Sequence, residues 1–182
     1  MADKPEEVLS FRYPFEGRLV RLRVEEVRLP SGRVATREIV EHRGAVAMVP
    51  VTDRNEVLLV RQYRRALDRW TLEIPAGTLE PGETVEECLG RELAEEVGVE
   101  AGRVDFLLTF FPSPGFLTEQ VYLYLCTDLK PRPRPPGDEE VVQAVPVPLT
   151  EALHMIGREI QDAKSILGIL LAAKQRGVGH GG

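Results

Sequence analysis

From Gly17 to Val27 the chain reads GRLVRLRVEEV, an alternation of apolar and charged positions that predicts a half-buried strand. LPSGR turns it back into Val34–Glu41, so residues 17–41 are expected to form a β-hairpin. A lone hairpin is marginally stable, so this one needs the main domain or a second subunit to lie against. Residues 1–10 read as a loose or partner-dependent arm. Ala45–Thr52 and Glu56–Tyr63 are near-continuous apolar runs joined by the DRN turn and predict buried strands. Shorter strands are expected near Trp70–Ile74, Val104–Phe111, Gln120–Thr127 and Val141–Val147, with Tyr63, Trp70, Phe110 and Phe111 in the core. PRPRPPGDEE at 131–140 is a stiff polar loop that cannot be a central strand.

Helical periodicity appears in three places. Thr150 is expected to cap a helix running to about Arg158, and Asp162 a second running to about Arg176 with Gly177 as its stop. In the latter, Ala163, Ile166, Leu167, Leu170 and Leu171 make the apolar stripe. The third helix spans about Glu83 to Val97, between Gly82 and Gly98. Strands and helices in this mixture predict an α/β fold, a mixed sheet between helical layers.

The third helix carries the candidate chemistry. At about 100° per residue, Val85, Cys88 and Leu89 share a face with Glu92 and Glu96, while Leu93 and Val97 lie to one side and Glu95 to the other. An apolar face that turns acidic buries ionised groups at considerable cost unless something neutralises them. A hard divalent cation, held by carboxylate oxygens and substrate phosphates, does so. Glu86 and Glu87 fit an ordinary solvated face instead.

Composition narrows the function classes. Net charge is −6, which argues against nucleic acid as a partner. Only two cysteines, Cys88 and Cys126, are present, too few for a zinc site or a disulfide framework. MADKPEEVLS has no apolar leader and no run approaches membrane-spanning length, so a soluble cytoplasmic protein without membrane attachment is expected.

Gly77, Glu83, Arg91-Glu92-Leu93, Glu95-Glu96 and Gly98-Val99 together match the Nudix hydrolase signature. The chain resembles that family at nine defined positions over 23 residues. The resemblance implies a Nudix-type α/β/α sandwich with an N-terminal β-hairpin extension. It also implies Mg²⁺ or Mn²⁺ and cleavage of a nucleoside diphosphate linked to another moiety. Glu83 then orients the loop, and Arg91 bonds an acidic neighbour.

Flanking features resemble the ADP-ribose pyrophosphatase branch: the N-terminal hairpin, VRQYR at 60–64, EIPAG at 73–77, and SPGF at 113–116 followed by Glu119. That likeness implies Arg61, Arg64, Pro114 and Glu119 at the substrate and a homodimer formed through the hairpin. Residues 1–42 would be the arm and hairpin, 43–177 the hydrolase domain and 178–182 a flexible tail. The implied reaction is hydrolysis of ADP-ribose to AMP and ribose 5-phosphate. Alternatives are FAD, NADH or a nucleotide sugar as substrate, and a non-catalytic module that senses ADP-ribose or NAD-like ligands. The branch implies that the Ala76 carbonyl, Glu92 and Glu96 hold the main ion, with Glu95 sharing a further one and an acidic loop, here GDEEVV, adding Glu139. Glu139, Glu140 and Glu95 are the candidates for the general base, because the loop's alignment puts the usual base position near Gly137. Tyr13 and Phe15 are stacking candidates, and an ordinary polar contact is expected of His42.

Overall fold

The alternation at Arg21–Arg28 and Val34–Glu41 does form two strands, β2 and β3, but a third strand precedes them. In the computed structural model, which describes residues 5–133 and 143–179, Glu7–Glu16 is β1 and pairs antiparallel with β2. Residues 7–10 of the arm expected to be loose or partner-dependent are thus in a strand, and the hairpin is part of a three-stranded sheet in the order β1-β2-β3. Opposite charges face each other across β1 and β2: Arg28 reaches Glu7 at 3.2 Å and Arg21 reaches Glu16 at 3.2 Å. Such cross-strand pairs help set register. Pro14 falls in the register shift between Arg12 and Phe15, where its missing N–H costs no ladder bond. The sheet belongs to one of two compact units, residues up to Gly44 together with Phe111–Gln120.

The second unit holds Ala45–Phe110 and the chain from Val121 onward. Its strands are β4 (Ala45–Pro50), β5 (Glu56–Arg64), β6 (Arg69–Glu73), β7 (Ala76–Thr78), β8 (Val99–Phe110), β9 (Val121–Pro131) and β10 (Gln143–Pro148). They make one four-stranded sheet, β7-β4-β9-β8, and one three-stranded sheet, β10-β5-β6. The β4–β9 pairing is parallel and the others are antiparallel, so the arrangement is mixed as expected. Strand β7 was not foreseen. Strand β8 starts at Val99 rather than near Val104, because Val99–Ala101 pair with Leu129–Pro131.

The strands' two-residue period sorts the core into two layers. Ala45, Ala47 and Val49 of β4 join Val57, Leu59, Leu123 and Leu125 in a cluster with Leu149, Ala152, Ile169 and Ala172 of the C-terminal helices. Val46, Met48, Val60 and Cys126 instead join Cys88, Leu89, Leu93 and Val97. Helices thus cover both faces, the expected α/β/α sandwich.

Helix α1 (Val85–Glu92) is followed by α2 (Leu149–Met155) and α3 (Ala163–Gln175). Thr150 does not cap α2: Leu149 N–H is taken by the Asn55 carbonyl at 2.8 Å, and Thr150 sits inside the helix. Asp162 does cap α3, accepting from the backbone amides of Lys164 and Ser165. Of the expected α3 stripe, Ile166, Leu167 and Leu171 pack half-buried against the core, but its fully buried line is shifted. Ser165, Gly168, Ile169, Ala172 and Ala173 are buried, whereas Ala163 and Leu170 are exposed. Small residues let the helix lie close: a Cβ on Gly168 would come within 2.8 Å of Val49 and 3.0 Å of Ile74. Of the expected tail, Val178 donates to the Ala173 carbonyl at 2.9 Å, and residues 180–182 lie outside the described ones. Tyr63, Trp70 and Phe111 are exposed rather than in the core. Among the described residues no helix is long and apolar enough to cross a membrane.

Candidate metal and diphosphate site

Helix α1 begins at Val85, later than the sequence suggested. Thr84 is its N-cap and forms a reciprocal capping box with Glu87. That frees Glu83 to act outside the helix, where its two carboxylate oxygens accept from Arg91 at 2.8 and 3.0 Å and one also accepts the Glu80 amide. Arg91 holds Glu83 well below the usual carboxylate range, at about 2. The same guanidinium donates to Glu92 at 2.7 Å and to Glu95 at 3.1 Å, so Arg91 is the bridge between loop and helix.

After Glu92 the helix widens into a π-helical turn, Leu93–Val97, closed by Gly98 in the left-handed region at φ 70°. Leu93, Ala94 and Val97 are buried in this turn, and Glu96 is buried with them. One Glu96 oxygen accepts the Ala76 N–H at 2.9 Å. Burial, reinforced by the nearby Glu92 carboxylate, pushes Glu96 up to about 8; the Ala76 amide, Arg64 and Lys164 offset this only in part. Burial raises Glu92 as well, against the pull of Arg91.

The backbone of β7 is pressed onto this pair. A Cβ built on Gly77 would stand 1.7 Å from a Glu92 carboxylate oxygen, so any side chain there would displace that carboxylate. Ala76, Glu92 and Glu96 therefore lie together where β7 meets the helix. Two carboxylates, Glu96 buried and Glu92 half-buried, beside a backbone peptide form an oxygen donor set of the kind a hard divalent cation takes. Glu95 is half-buried and tied to Arg91. Among the described residues no three carboxylate, imidazole or thiol side chains are grouped to hold a metal ion by themselves; the set needs a backbone oxygen, the substrate or a further side chain. Glu139 and Glu140, expected to complete it, lie outside the described residues.

The two arginines of VRQYR differ. Arg64 makes a forked pair with Glu73, at 2.9 and 2.6 Å. Arg61 is exposed, its guanidinium 4.4 Å from the Trp70 ring centroid. Pro114 and Glu119 belong to the other compact unit. Pro114 lies in the turn where Leu117 N–H reaches the Ser113 carbonyl at 3.0 Å, and Glu119 stands 3.8 Å from His42 Nδ1. His42 makes the ordinary polar contact expected, accepting the Gly44 amide at 3.1 Å. Tyr13 lies in β1 beneath Arg21, whose guanidinium is 4.0 Å from the ring centroid, and Phe15 near the same strand's end is exposed.

Sequence reasoning passed over Glu73, which is 3% exposed yet bonded to Arg64, Lys164 and Thr71. Burial alone would raise its pKa, but Arg64 and Lys164 reverse that and hold it far below the usual range. The signal was there: a carboxylate placed between the apolar Leu72 and Ile74 needs a partner if it is buried.

Residues 41–167 match the family model described as the NUDIX domain, and residues 6–40 match the model of the nucleoside diphosphate sugar hydrolase N-terminal domain. The chain is 39% identical over 172 residues to the ADP-ribose pyrophosphatase of Bacillus subtilis (strain 168), covering 93% of each. It is 37% identical over 178 residues to the methanol dehydrogenase activator of Bacillus methanolicus, covering 96% of each. A crystal structure of an ADP compounds hydrolase superposes with a TM-score of 0.85 over the whole of both chains at 23% identity, which speaks for the fold.

Proposed function

The chain belongs to the Nudix hydrolase family, and we propose that it cleaves the diphosphate of ADP-ribose, with Mg²⁺ or Mn²⁺, to give AMP and ribose 5-phosphate. The observation that carries this reading is the placement of the buried Glu96 and half-buried Glu92 carboxylates against β7, where the Ala76 N–H donates to Glu96 and Gly77 abuts Glu92. The likeness to an ADP-ribose pyrophosphatase across 93% of both chains supports the substrate.

The Ala76 carbonyl, Glu92 and Glu96 would hold the principal ion, with Glu95 and Glu139 as further ligands. When bound, the ion neutralises the diphosphate and polarises a P–O bond. The chain's own part is to position and to take a proton. Arg61 and Arg64 would present donors to the phosphates, and Pro114 and Glu119 would contact the far half of the substrate. Water adds to one phosphorus, the bridging oxygen departs with the other, and a carboxylate takes the water's proton. Glu139, Glu140 and Glu95 are the three candidates for that base. Since Glu95 is already bonded to Arg91, the loop residues are favoured. A homodimer formed through residues 1–42 belongs to the same reading; exposed Val8, Phe11 and Phe15 in β1 support it.

A nucleotide sugar is the second reading, favoured by the match of residues 6–40. The deciding experiment incubates ADP-ribose, ADP-glucose, FAD and NADH separately with the protein and Mg²⁺ and follows AMP. AMP chiefly from ADP-ribose supports the proposal; AMP chiefly from ADP-glucose transfers it to the second reading.

A further inference from the structure

Between β6 and β7 the chain leaves one sheet and enters the other. At such a crossing, backbone groups lose their ladder partners and must find others. Each residue of the crossing is held by something different. Glu73 is gripped by Arg64 and by Lys164 Nζ. Ile74 N–H donates to Ser165 Oγ at 2.8 Å. The Pro75 carbonyl accepts Met48 N–H at 2.9 Å, and Ala76 N–H goes to Glu96 at 2.9 Å. Two of these four holds come from the first turn of α3. Ser165 is fully buried, and its hydroxyl is itself bonded to Asp162, the α3 cap, which also takes Lys164 Nζ at 2.9 Å. One capped helix start thus fixes both the Glu73 carboxylate and the Ile74 amide.

The geometry points to Ser165 and Lys164 as positioning residues for the cation site, an inference that rests on the proposed role of Ala76, Glu92 and Glu96. Ser165 reaches that site through two peptide units: Ile74 and Pro75 lead directly to the Ala76 carbonyl, and the next residue, Gly77, abuts Glu92. Lys164 acts through Glu73, which sets both the start of the crossing and the orientation of Arg64. Neither residue touches the substrate. Both decide where the backbone oxygen and the guanidinium point. Changes to groups that orient metal ligands commonly weaken metal binding by about 10–100-fold.

The test titrates Mn²⁺ into the full-length protein, without substrate, and reads free Mn²⁺ by electron paramagnetic resonance at a temperature where every variant is folded by circular dichroism. Ser165→Ala is expected to weaken Mn²⁺ binding about 10-fold. Lys164→Met, which keeps the aliphatic stem, should weaken it severalfold, and Lys164→Arg should restore it. If Ser165→Ala does not fold, Lys164→Met and its arginine rescue decide alone. Parent-like Mn²⁺ affinity in the folded variants, with only thermal stability lowered, would overturn the inference and leave the proposed function standing. A parent chain that binds no Mn²⁺ would overturn both.

Discussion

Replacing Glu96 by Gln isolates the central physical claim. The amide oxygen of the new side chain can still accept the Ala76 N–H, and its size is unchanged, so the helix and β7 keep their packing. What disappears is a charge. In the parent without metal, Glu96 titrates near 8 when folded and near 4.5 when unfolded. Between those values the fold keeps a proton that the unfolded chain releases, so stability present below pH 4.5 is lost progressively as pH rises to about 8. At about 1.4 kcal/mol per pH unit, the loss across that window is on the order of 3–5 kcal/mol.

Urea denaturation of parent and variant in EDTA at pH 5, 6.5 and 8 measures this loss. The parent should weaken steadily across the series, the variant much less, so the variant should be the more stable of the two at pH 8. Added Mg²⁺ should reverse the order at pH 8, because a ligand bound only by the folded state stabilises it. Turnover of the variant should fall by orders of magnitude. Parallel pH profiles in EDTA, together with near-normal Mg²⁺-dependent turnover, would refute the reasoning.

Gly77→Ala should reduce turnover by about 10²-fold or more, since a Cβ 1.7 Å from the Glu92 carboxylate must displace it; steady-state kinetics with an unchanged circular dichroism spectrum checks this, and parent-like kinetics would contradict it. Glu73→Gln should cost roughly 1–3 kcal/mol at pH 7, by leaving the partly exposed Arg64 without its carboxylate and Lys164 with Asp162 alone, measured by urea titration. Because the folded pKa of Glu73 is depressed, its contribution exists above pH 4.5 and is lost as pH falls below that; the parent should therefore weaken on acidification more steeply than Glu73→Gln. Gly168→Ala should cost about 1–3 kcal/mol through overpacking against Val49 and Ile74, seen as a lower urea midpoint with an unchanged slope. Comparing Glu139→Gln with Glu140→Gln assigns the base: one should lose about 10²–10⁴-fold in turnover, and full activity in both would remove the loop from the mechanism.

What was legible in the sequence was whatever a single element states by itself. The acidic face of α1 could be read because Glu92 and Glu96 interrupt the line of Val85, Cys88 and Leu89 within one helix. The buried strand β4 could be read because all six of its residues are buried, which an apolar run records directly. Elements whose partners lie far off in sequence were misread. Thr150 looks like a cap only until Asn55 supplies the acceptor for Leu149 N–H. Only the half-buried part of the α3 stripe, Ile166, Leu167 and Leu171, was legible, because hydrophobicity tracks side-chain size, whereas Ser165, Gly168, Ala172 and Ala173 are inside for being small. Strand β1 was missed because nearly all of it is exposed, which leaves little contrast between its faces.

The same distinction explains why the site is built as it is. A helix can announce that it carries buried charge, but it cannot hold a backbone carbonyl beside that charge. On the proposed reading that oxygen comes from a segment running past the helix at close range, where a side chain at Gly77 would push the Glu92 carboxylate aside. That segment is fixed by Met48 on one side and on the other by Ser165 and, through the Glu73 carboxylate, by Lys164. On the proposed reading, the cation site at α1 therefore depends on the first turn of α3, far along the chain. It is through that long-range support, rather than through the carboxylates alone, that the fold and the chemistry become one constraint.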